Sequence, residues 1–136
     1  MDTYVERIDN ALRVLRSIED EDFQINAWPR CVLGHCAQDG WFNENGFGFH
    51  QATGRIPAFE GETGCTAGAR FFGIPPEVSV RLFIVGEPFF NSAYTSRQPR
   101  RKEAIAHLEI LRMKQLAAID TGTKIDVRVE DFVAAE

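Results

Sequence analysis

Thr3-Tyr4-Val5-Glu6-Arg7-Ile8-Asp9-Asn10-Ala11-Leu12-Arg13-Val14-Leu15-Arg16-Ser17 is the stretch on which the fold class turns. Val5, Ile8, Ala11, Leu12, Leu15 and the following Ile18 share one face at about 3.6 residues per turn, with Glu6, Asn10, Arg13 and Ser17 opposite. This is the pattern of a helix that lays one side on a core. Thr3 with Glu6 three residues on reads as a capping box. Asp9 and Arg13 stand four apart with the acid first, the better order for an ion pair within a helix. The run Glu19-Asp20-Glu21-Asp22 then stops the helix, because anions oppose the dipole at a C-terminus.

A second long amphipathic helix is expected at the other end, over about residues 99–119. Its main apolar face holds Ala104, Ile105, Leu108, Leu111, Leu116 and Ile119. Arg112 and Gln115 intrude into that face, and Ile110 and Met113 lie outside it. Beyond the helix, Ile125, Val127 and Val129 alternate with charged residues and predict a short terminal strand.

Residues 28–73 have another texture, with nine of the eleven glycines, all three cysteines, both tryptophans, His35 and His50. Pro29 suits the first turn of a short helix reaching about Asp39, with Gly40 just past its end. Asn45-Gly46 between Trp41-Phe42 and Phe47-Gly48-Phe49 predicts a β-hairpin. Residues 54–64 carry no period and read as loop. Residues 66–72 predict a short helix closed by Gly73. Pro75-Pro76-Glu77 opens another to about Ile84, although Val78, Val80 and Ile84 would also suit a strand.

The composition narrows the class. The chain has 136 residues, 44% hydrophobic and 26% charged, which is enough apolar material for a core and excludes disorder. Eleven phenylalanines against two tyrosines and two tryptophans predict a core of rings with no polar atom to satisfy. Together these readings give one α+β domain over residues 1–136, predominantly helical. Two longer amphipathic helices and several short ones enclose a Phe-rich core beside a small β-hairpin. No stretch reaches the roughly 18 apolar residues of a membrane helix, and the charged start is unlike a signal peptide. Three cysteines, an odd count, point to reduced thiols in the cytoplasm. A net charge of −5 makes nucleic acid a poorer partner than protein.

Three segments carry a resemblance: Cys31-Val32-Leu33-Gly34-His35-Cys36-Ala37, then Ala67-Gly68-Ala69-Arg70-Phe71-Phe72-Gly73-Ile74 with Leu82-Phe83, then Ala104-Ile105-Ala106-His107-Leu108. In order and content they resemble an uncharacterised group of small bacterial and phage-borne proteins. The resemblance implies no activity, and no residue inherits a role from it. Cys36 stands where similar sequences have a small residue.

Two constellations could carry function. Cys31 and His35 are four residues apart, hence on one helical face, with Cys31 near a helix N-terminus that would favour a thiolate. They form a minimal nucleophile and base for thiol or acyl-transfer chemistry, without an orienting third residue. Cysteine is equally at home as an inert core residue. Zinc could recruit Cys31, His35, Cys36, His50 and Cys65, but no C-x-x-C is present, and no metal or cofactor is assigned. Gly46-Phe47-Gly48-Phe49 lacks the Lys-Ser/Thr of a phosphate loop.

The second constellation is the cluster Arg97, Arg100, Arg101 and Lys102, where the start of a helix disfavours cations. With the stray apolar pair Ile110 and Met113, it suggests docking onto a partner with an acidic surface. The competing account leaves these cations on a solvated face or pairs them with residues 19–22 inside the fold. The preferred expectation is a small soluble binding or regulatory protein that docks onto a larger macromolecule. A cysteine-dependent enzyme using Cys31 and His35 is the alternative.

Overall fold

The computed structural model describes residues 3–23, 30–52, 54–83 and 101–132. The order is α1 (Thr3–Ser17), α2 (Val32–Ala37), α3 (Gly40–Glu44), β1 (Gly48–Phe49), β2 (Pro57–Phe59), β3 (Glu62–Thr63), α4 (Gly64–Phe72), α5 (Pro76–Phe83) and α6 (Arg101–Thr121). It is a predominantly helical α+β fold. The long helices α1 and α6 pack on each other, and the short helices and the sheet close around a core rich in phenylalanine.

Helix α1 buries Val5, Ile8, Ala11, Leu12, Val14 and Leu15, so the expected face holds and Val14 widens it. The Asp9–Arg13 pair does not form. Asp9 instead takes Arg112 of α6 at 2.5 Å, and Arg13 takes Asp39 through two hydrogen bonds of 2.8 and 3.1 Å. Each charge has found a partner on another element, where it also orients that element.

The same Asp39 explains why the expected hairpin at Asn45-Gly46 is absent. Its carboxylate accepts from Trp41 N at 3.1 Å and Phe42 N at 3.4 Å, capping α3. Trp41 and Phe42 are therefore helical, Gly40 opens a helix rather than following one, and Asn45 closes it. The hairpin lies instead in the stretch expected to be loop. Strand β2 pairs antiparallel with β1 (Gly48↔Ala58, Phe49↔Pro57) and with β3 (Ala58↔Thr63, Phe59↔Glu62). Glu60 and Gly61, at φ 50° and 84°, make the two-residue turn between β2 and β3, whose backbone twist matches its strands.

Helix α4 ends at Gly73, as expected, in the left-handed region at φ 68°. A Cβ there would lie 2.7 Å from the Tyr4 ring, so glycine also lets α1 approach. At α5 the helical reading holds over the strand, with Val78 and Ser79 bonding back to the Pro75 carbonyl.

Two expectations near the C-terminus fail. Residues 124–128 form no strand; the alternation survives only as burial, with Val127 inside and Asp126 and Arg128 out, before a 3-10 turn at Val129–Asp131. On α6 the buried side is Glu103, Ala104, His107, Leu108, Leu111, Gln115 and Ala118. Leu116 and Ile119, expected inside, are 40% and 45% exposed. Arg112–Asp9 and Glu109–Arg16 (3.0 Å) tie α6 to α1 along one flank.

Leu12→Ala is expected to lower stability by about 2–5 kcal/mol, as for a fully buried leucine. Asp39→Asn tests the cap. The Arg13 hydrogen bond holds the Asp39 carboxyl below its ordinary value, helped by the Phe42 and Trp41 N–H groups. A depressed folded pKa contributes stability above the unfolded pKa and loses it as pH falls. The gap between wild type and Asp39→Asn in denaturant titrations should thus be full at neutral pH and close below about pH 4. A gap that widens on acidification would contradict this placement of Asp39.

Candidate functional site

The structure puts Cys31 and His35 on α2 but in different environments. Cys31 is the N-cap, its Sγ accepting from Gly34 N at 3.4 Å, and it is completely buried. Burial pushes its thiol up to about 11, against the smaller opposing effect of nearby backbone N–H groups. The helix N-terminus is present, but desolvation outweighs it, so Cys31 is a protonated thiol at neutral pH. Burial also pushes Cys36 well up, and Cys65 to about 12. All three are unbridged.

His35 reaches the other way. Its Nε2 lies 2.8 Å from the Asp22 carbonyl oxygen, which can only accept, so Nε2 carries the proton. Arg30 also donates to the carbonyls of Glu21 and Asp22. His35 and Arg30 thus fasten the 3-10 turn at Asp20–Asp22 to the start of α2. Among the described residues no group of three or more His, Cys, Asp or Glu side chains could hold a metal ion.

Arg97 and Arg100 lie outside the described residues. Arg101 donates from Nε to Asp20 at 2.9 Å and from a terminal nitrogen to the Leu15 carbonyl at 2.9 Å. It satisfies a carbonyl left open at the end of α1, so the account that pairs this cation inside the fold holds for Arg101. Lys102 is exposed. Ile110 is half-buried against the core. Met113 is 65% exposed and, with Leu116 and Ile119, puts three large apolar side chains on the outside of α6. Leu116 and Ile119 were missed because the periodicity assigned them to the core.

Compared with family models, curated proteins and solved structures, the chain matches none. The three segments of the resemblance lie in α2 with its cap, in α4 with the end of α5, and in the first half of α6, and all supply core residues. No helix among the described residues is long and apolar enough to cross a membrane.

Native protein should react with a thiol reagent at neutral pH far more slowly than unfolded protein, which should yield three free thiols without reductant. One thiol labelling natively at the rate of a free cysteine, and lost in Cys31→Ser but not in Cys65→Ser, would show that Cys31 opens to solvent and would revive thiol chemistry.

Proposed function

We propose that this protein is a small binding or regulatory protein that docks onto a larger macromolecule through the outward face of α6. The observation that carries this reading is the exposure of Met113, Leu116 and Ile119 on a helix whose opposite side is in the core. Single exposed apolar residues are ordinary, whereas three along one helix are a candidate contact face. Lys102 stands exposed on the same helix. With Arg97 and Arg100 nearby in sequence, it favours a partner with an acidic surface. Apolar anchors supply affinity in such contacts and rim charges steer the encounter.

The thiol-enzyme alternative, with Cys31 as nucleophile and His35 as base, has less support. It needs an accessible thiolate, and Cys31 is buried and protonated. A cytoplasmic location belongs with the binding reading, on the strength of three unbridged thiols.

Leu116→Ser and Met113→Ser should each change stability by less than about 0.5 kcal/mol, being at exposed positions. In pull-downs from the native host the same variants should recover less of a partner held by the wild type, chiefly through faster dissociation. Undiminished recovery with an unchanged melting curve would exclude this face.

A further inference from the structure

Nine positions on α6 are exposed, and six of them lie in one line along the helix. Lys102, Ala106, Glu109, Met113, Leu116 and Asp120 are all exposed, and successive members stand four, three, four, three and four residues apart. At about 100° per residue they fall within roughly 80° of one another, forming a seam about 27 Å long opposite the buried side. Any one face of a helix has this spacing; here it sets the apolar Met113 and Leu116 mid-line with Lys102 and Asp120 at the two ends. Half-buried Ile105 and Ile110 flank it, and so does Ile119.

The ends of the seam say what fits. Lys102 stands at one end and Asp120 at the other, and neither is in an ion pair among the described residues. A parallel copy would set lysine on lysine and aspartate on aspartate. An antiparallel copy, with the two-fold axis midway between Glu109 and Met113, sets each Lys102 on the other copy's Asp120. In that register Ala106 faces Leu116, small against large. Ile105 faces Ile119, and Ile110 faces its own equivalent. Glu109 faces Met113 but is drawn aside by Arg16 at 3.0 Å. Arg112 meets its equivalent with its charge already matched by Asp9. Such a contact is isologous, the same patch used by both copies.

We infer that, when no other partner occupies this face, two copies of the chain pair antiparallel through α6, with Lys102 and Asp120 setting the direction. The inference rests on the reading of this face as an interface and names its occupant as a second copy. Docking onto a larger partner would then require the pair to separate. One helix pair is at the small end of stable interfaces, so association belongs in the micromolar range.

Sedimentation velocity on the full chain, from about 5 to 200 µM, reads this directly. The expected result is a monomer–dimer equilibrium. Lys102→Glu alone and Asp120→Lys alone should each raise Kd by about tenfold, the order of two exposed pairs turned repulsive. The double variant Lys102→Glu/Asp120→Lys should restore wild-type Kd. Leu116→Ser should dissociate the pair with the melting curve unchanged. A monomer throughout the range overturns the inference. A dimer insensitive to the single reversals, or not restored by the double, overturns it equally. The docking reading fails separately, on partner recovery, and a monomer leaves it standing. The charge swap also parts the two, since it rescues self-pairing but not contact with an acidic partner.

Discussion

Phe71 is the point on which the short elements converge. Its ring centroid lies 4.9 Å from Phe47, 5.0 Å from Phe59, 5.2 Å from Phe72 and 5.3 Å from Phe42. These neighbours come from the segment after α3, from β2, and from α4 and α3 themselves. The Arg7 guanidinium of α1 covers the ring at 4.3 Å and donates to the Phe71 carbonyl at 2.8 Å. Helices of five or six residues and strands of two or three have almost no stability alone. Edge-to-face and tilted rings at these distances hold them in place, each pair contributing about 0.5–1.5 kcal/mol beyond burial. The cation over Phe71 joins this aromatic unit to α1.

From α1 the order passes to α6 through charge. Asp9 and Arg16 meet Arg112 and Glu109, while Arg101 meets Asp20 and the end of α1. Exposed pairs of this kind contribute little to stability. They lie along the flank of α6 that faces α1 when Ala104, Leu108, Leu111 and Ala118 enter the core. That rotation brings Gln115 inside, where its Oε1 is buried with no hydrogen-bond partner among the described residues. It also leaves Met113, Leu116 and Ile119 in solvent. A buried amide without a partner costs about 1–3 kcal/mol.

The histidine and the cysteines show how a suggestive spacing can belong to packing. Four residues place Cys31 and His35 on one turn, yet one side chain turns into the core and the other towards a carbonyl of the Asp20–Asp22 turn. Spacing along a helix says which groups could meet. It does not say what surrounds them, and for a thiol the surroundings decide whether it is nucleophilic.

The sequence by itself determined the helical class, the face and extent of α1, the glycine stop of α4, the proline start of α5 and the phenylalanine core. All of these follow from periodicity, or from residues whose backbone preferences act locally. Only the tertiary structure decided what depended on partners far away in the chain. Asp39 became a cap because α3 formed beneath it and Arg13 came across to it. Glu60-Gly61, which no apolar period announces, became the turn because β2 had two neighbours to pair with. Residues 124–128 had no such neighbour among the described residues and formed no strand. The seam on α6 was hidden for the same reason: hydrophobic period counts apolar residues on a face but cannot say which of two overlapping faces the rest of the fold will cover.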